Sequence, residues 1–233
     1  MPPRADGPLA GSGQLVLVTT AGWDADHGTL QAWERVGGDW RAVGDPAAVT
    51  VGRSGSAWGL GRHPHQPGPA KREGDGRAPA GVFGIGTAFG YGAQPDTALD
   101  YRRMRASDYC IDVDGSPLYN RIVDAAEVGE EAVAGSTEPM RRDLHRGGDQ
   151  RYRLGFVIEH NPDAQAGGGS CIFAHLWKAP GAATAGCTAM DAAKMRELLA
   201  WLEPSRQPVF VLLPRGEHAR LQAEWNLPAP RNR

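Results

Sequence analysis

Apolar residues recur along this chain in short runs with a period of two, and only once at helical spacing. Residues 14–19 (QLVLVT) form one such run, and residues 29–35 and 40–43 flank a Gly37-Gly38-Asp39 turn, which predicts a hairpin. Residues 47–52, 82–85, 109–113, 151–160, 170–175 and 208–213 read as further strands. The helical exception follows Asp191, a residue able to cap. Met195, Leu198, Leu199 and Leu202 stand at i, i+3, i+4 and i+7 behind it, and Pro204 and Pro208 end the pattern. A shorter helical piece is expected near residues 140–144. The pattern predicts a mostly β fold with some α, carrying one main helix and long loop insertions.

Between these elements the chain is punctuated by 32 glycines and 18 prolines, which favour tight turns over long helices. Residues 1–13 read as a disordered leader, 14–214 as one folded domain and 215–233 as a polar, helical or irregular tail. Residues 127–148 are charged and weakly periodic, as a surface excursion would be. The 233 residues fit one large domain. A net charge of -2 gives no reason to expect nucleic acid or an anionic membrane as partner. No apolar run reaches membrane-spanning length, and the N-terminus lacks the pattern of a secretory signal.

Three cysteines, Cys110, Cys171 and Cys187, leave at least one thiol free, and the sequence leaves open whether Cys110 and Cys171 pair. Cys187 stands directly after Gly186, and His175 lies on the apolar run Ile172, Phe173, Ala174. A lone cysteine is ordinarily a small buried hydrophobe. A preceding glycine, a following helix start and a histidine nearby point instead to an activated nucleophile. A helix opening near residues 188–191 would also aim its positive end at Cys187 and favour a thiolate. His63 and His65, with His145, Glu73 and Asp75, lack the i, i+4 placement of a helical zinc site, so no metal is expected. Lys71, Arg72 and Glu73 read as a charged loop, and Arg151 and Arg153 as one solvated strand face.

The histidine-bearing strand, the Gly-rich loop and Thr184-Ala185-Gly186-Cys187 resemble the active-site segment of the YkuD-type L,D-transpeptidases. KREGDGRAPAGVFGIG (71–86), DVDGSPLYN (112–120) and GFVIEHN (155–161) resemble segments of a divergent branch of that family. The commoner pattern has a second histidine where Ala185 stands, a polar residue where Ala189 stands, and a longer loop before the cysteine. The resemblance implies a YkuD-like sandwich or sheet core acting on peptidoglycan stem peptides, as a monomer without cofactor, outside the cytoplasm.

It further implies that Cys187 attacks the carbonyl of an L-centre joined to a terminal D-residue, with His175 handling the proton. The Leu176 carbonyl would orient the histidine ring, and the Gly186 and Cys187 amides, flanked by Thr184 and Ala185, would hold the oxyanion. Tyr119, Asn120, His160 and Trp177 are candidates for a substrate groove, with packing as the alternative for each. An amine acceptor makes a cross-linking transpeptidase; water makes an L,D-carboxypeptidase or related hydrolase. A drifted site would leave a non-catalytic wall-binding module.

Overall fold

The apolar run near the N-terminus forms β1 (Gln14–Thr20), buried along nearly its whole length. β1 pairs antiparallel with β2 (His27–Val36), which turns at Gly37 and Gly38 into β3 (Asp39–Thr50). Both glycines have positive φ, 61° and 97°, the backbone that a two-residue turn between twisted strands requires. β3 runs unbroken through Asp45 and Pro46, where two separate strands were expected. A register shift against β2 between Leu30 and Ala32 absorbs the irregularity. The computed structural model describes residues 7–229.

Short and long strands then alternate: β4 (Ser56–Trp58), β5 (Ala78–Gly90), β6 (Tyr101–Arg103), β7 (Asp108–Cys110), β8 (Ile122–Asp124) and β9 (Glu138–Pro139). The one-turn helices α1 (Ala125–Val128), α2 (Glu130–Val133) and α3 (Arg142–His145) lie among them. After these come β10 (Leu154–Glu159), β11 (Phe173–Leu176), β12 (Thr188–Met190), α4 (Ala192–Trp201), β13 (Val209–Pro214) and α5 (Arg215–Leu221).

The main sheet runs β10-β11-β12-β3-β2-β1-β13-β5-β4, and β10 also pairs with β5, so the sheet closes on itself. β13 is buried at every position. It sits between β1, to which it is parallel, and β5, to which it is antiparallel, which explains its uninterrupted apolar sequence. α4 begins where Asp191 accepts hydrogen bonds from the amides of Ala193 and Lys194 at 2.8 and 2.9 Å. Met195, Leu198 and Leu199 then face the core, each burial contributing roughly 1.5–3 kcal/mol.

The segment between β6 and β10 carries a second, three-stranded sheet, β8-β7-β9. It forms a cap over the β5, β10 and β11 face, packing Met104, Cys110 and Met140 against Phe89, Tyr152 and Phe173. A disulfide from Cys110 to Cys171, with Cα atoms 5.9 Å apart, ties the cap to the loop before β11. The expected surface excursion at residues 127–148 is therefore partly an inward-facing element, with Met140 fully buried.

The ends of the described chain are also packed. Leu9, in the segment expected to be a disordered leader, is 1% exposed in the core, and the Gly13 amide bonds the Arg206 carbonyl. Residues 1–6 of that leader lie outside the described residues, as do residues 230–233 of the tail. The tail opens with the helix α5, as a helical end would, and then docks on the core. Trp225 and Leu227 join the core behind α5, and Trp40 donates its indole N–H to the Asn226 carbonyl. Apolar residues spaced within a Pro/Gly or charged segment were enough to dock it.

Candidate active site

β11 and β12 run parallel, with His175 opposite Ala189 and Ala174 opposite Thr188. Side chains alternate along a strand, so His175 and Ala189 share a face, with Phe173 and Cys187 two residues back on it. Cys187, the single free cysteine among the described residues, therefore lies diagonal to His175 beneath the cap. The Phe173 amide donates to Cys187 Sγ at 3.4 Å, and the thiol donates to the Cys171 carbonyl at 3.5 Å. Glycine is needed just before it, because a Cβ at Gly186 would stand 3.0 Å from the Arg77 carbonyl oxygen.

His175 Nδ1 lies 2.7 Å from the Leu176 carbonyl. A carbonyl can only accept, so Nδ1 carries the ring proton and Nε2 is left as an acceptor. Burial pushes His175 down to about 4 and Cys187 up to about 12. Glu138 raises the thiol further, while the Phe173 amide and then Arg151 and Arg142 act against the rise. The pair thus rests as neutral imidazole and neutral thiol.

This corrects the expected helix effect. β12 separates Cys187 from α4, whose first turn opens at Ala192 and whose leading amides are already capped by Asp191. Four residues of largely extended chain, Thr188 to Asp191, put the dipole's end well beyond the first turn over which it acts. Alkylation of Cys187 by iodoacetamide should therefore keep accelerating from about pH 6 to about pH 10, as the thiolate fraction grows. A rate already level below about pH 8 would reveal a preformed thiolate–imidazolium pair instead.

The remaining predicted residues divide into two groups. Thr184 brackets Cys187: its hydroxyl donates to the Cys187 carbonyl at 2.7 Å and accepts from the Gly186 amide at 3.1 Å. The Gly186 amide, expected to face an oxyanion, is engaged by that hydroxyl in this arrangement. Ala185 is exposed beside it. Tyr119, Asn120 and His160 come together, lining one cavity and fastening the loops around it. Tyr119 donates to Glu73 and accepts from the Gly169 amide, Asn120 bonds the His160 and Asn161 carbonyls, and His160 lies 2.9 Å from the Gly168 carbonyl. Trp177 is elsewhere, its indole N–H on Thr50 Oγ1, so the four do not form one groove. The charged loop at residues 71–73 is anchored at both ends: Lys71 is buried on Asp75, and Glu73 accepts from Tyr119 and Ser170.

Sequence reasoning missed Tyr152, Glu138 and Arg142. The Tyr152 ring packs edge-on against His175 with centroids 5.3 Å apart, and its hydroxyl donates to Glu138 at 2.6 Å. Arg142 bonds the same Glu138 oxygen at 2.6 Å and reaches Asp149, which Arg151 grips with its own guanidinium. Arg151 and Tyr152 belong to a 3-10 turn rather than to the strand expected from residue 151, which corrects the solvated-face reading of Arg151. The i, i+4 spacing of Glu138 and Arg142 was the available signal. Among the described residues, no three His, Cys, Asp or Glu side chains are grouped so as to hold a metal ion, and no helix is long and apolar enough to cross a membrane.

Comparison with known proteins gives this arrangement a lineage. The L,D-transpeptidase catalytic domain, YkuD, matches residues 26–211. No protein of curated function matches the chain. Among solved structures, that of Bdellovibrio bacteriovorus Bd1075 aligns at 12% identity with a TM-score of 0.42, covering 92% of this chain and 55% of that one. The chain spans about half the length of that protein. The domain match takes in β2 through the first half of β13, including His175, Cys187 and the cap, and by it the chain belongs to the YkuD family of L,D-transpeptidase catalytic domains.

Proposed function

We propose that the protein is a peptidoglycan L,D-transpeptidase in which Cys187 forms an acyl-enzyme with a stem peptide. The observation that carries this reading is a free thiol diagonal to a histidine whose Nδ1 proton is fixed on the Leu176 carbonyl. That tautomer leaves Nε2 as the base. Sγ attacks the carbonyl carbon of the L-centre, the thiol proton passes to Nε2, and the oxyanion collapses with cleavage of the C–N bond. The same proton leaves on the departing amine of the D-residue. An amine from a second stem then attacks the thioester, returning Cys187 to its starting state; water in its place gives the carboxypeptidase.

Because both groups rest neutral, the thiol must lose its proton during attack rather than before it. The Phe173 amide aimed at Sγ supports the sulfur as charge develops. The Cys110–Cys171 bridge fits an oxidising, extracytoplasmic compartment, where such a wall substrate is found.

Intact-mass analysis with a stem tetrapeptide tests the reading. The expected result is an acyl-tripeptide adduct on the native protein and none on Cys187→Ala. Discharge of the adduct by an added amine identifies the transpeptidase, and discharge by water alone the carboxypeptidase. Absence of any adduct, with retained binding to cell-wall sacculi, would identify a wall-binding module and overturn the enzymatic reading.

A further inference from the structure

Cap and sheet leave between them a pocket of about 360 Å³ on the face that carries His175 and Cys187. The strand registers place it there. Gly155 pairs with both Phe89 and His175, and the next residue on that face, Val157, pairs with Phe173. Phe89, Val157 and Phe173 make the floor, while Ile122 and the disulfide's Cys110 close it from the cap. Phe173 joins this pocket to the nucleophile. Its side chain lines the cavity and its backbone N–H touches Cys187 Sγ.

Two arginines break the apolar lining, and no aspartate or glutamate lines it. Arg102 is neutralised by buried Asp108 and also bonds the Ile122 carbonyl. Arg121 is exposed, and among the described residues no carboxylate forms an ion pair with it. Its backbone is nonetheless held rigidly. The Arg121 amide donates to the Leu118 carbonyl, and its own carbonyl accepts from the Ile111 amide. The preceding Asn120, at φ 62°, bonds the His160 and Asn161 carbonyls and accepts from the Cys171 amide. A free guanidinium on a fixed turn beside an apolar cavity is preorganised for an anion with a hydrophobic body. A second cavity of about 310 Å³ shares Asn120, Arg121 and Val157, so the cleft continues past the arginine along β10.

We propose that this pocket receives the carboxylate-terminated end of a peptide with small apolar side chains, and that Arg121 pairs with its carboxylate. A peptide end fits better than a phosphate, because the floor is apolar and a single unpaired guanidinium matches one carboxylate in bidentate fashion. The proposal adopts the acyl-transfer reading for the peptide's reactive end, but its binding step stands apart from the chemistry. Arg121 is a specificity residue, distinct from the groups that transfer protons.

Calorimetric titration of the Cys187→Ala protein, which cannot react, separates the two. A tetrapeptide ending in a free D-alanine carboxylate should bind roughly tenfold or more tighter than its C-terminal amide. Adding Arg121→Gln should erase that difference by weakening only the acid form, with the melting temperature unchanged because the side chain is exposed. Equal binding of acid and amide, survival of the preference in Arg121→Gln, or no binding of either peptide would overturn the proposal. Acid-selective binding without a covalent adduct on the native protein would sink the acyl-transfer reading and leave the pocket assignment standing.

Discussion

Replacing Cys110 and Cys171 together by alanine is expected to lower the unfolding free energy by about 4 kcal/mol, measured by urea denaturation. The bridge spans 61 residues of sequence, so its loss restores a large loop-closure entropy to the unfolded chain. Cys171 sits at φ 56°, a left-handed conformation whose cost of roughly 1–2 kcal/mol cysteine and alanine bear alike. Cys171→Gly in place of Cys171→Ala should therefore recover about 1 kcal/mol. A loss below about 1 kcal/mol for the double alanine variant would mean that the cap is held by packing alone. The same experiment bears on the site, because the Cys171 carbonyl accepts the Cys187 thiol proton and the bridge fixes that carbonyl's position.

The second large effect is acid lability. Burial holds both His175 and His160 at about 4 in the folded protein, against about 6.5 when unfolded. Between those values the unfolded chain binds protons that the native state does not, so stability rises with pH across the window. Read downward, stability is intact above about pH 7 and falls from about 6.5 to about 4, with each histidine contributing on the order of 3 kcal/mol. His63 and His218 are also lowered by burial and add in the same direction. Thermal melts at successive pH values should show a steep decline between about pH 6.5 and pH 5, made shallower but not abolished in His160→Gln. A melting temperature that stays level through that interval would contradict the buried neutral histidines.

The elements legible in the sequence are those whose signals are local. β1 and β13 are apolar runs, the β2–β3 turn is set by two glycines, and α4 announces itself through Asp191 and its periodic leucines. What escaped depends on partners far away in sequence. The β5–β10 pairing that closes the sheet joins residues some 70 apart, and no local period records it. β12 is only three residues long, and its apolar character merged with the helix start that follows. Within the charged run at residues 127–148, and at Arg151 beyond it, a solvated surface was expected because charge usually means solvent. Here Glu138, Arg142, Asp149 and Arg151 satisfy one another and can be buried together beside the thiol. His175 and Cys187 were recognisable as residue types at a suggestive spacing. Their protonation was not, since it follows from how completely the cap covers them.

The position of β13 has a consequence for how the protein is made. Among the described residues this strand is the last, yet it lies inside the sheet, bridging β1 and β5. Until it leaves the ribosome, both of its neighbours present open edges, and the barrel-like closure cannot occur. Synthesis through Pro214 thus precedes closure of the sheet.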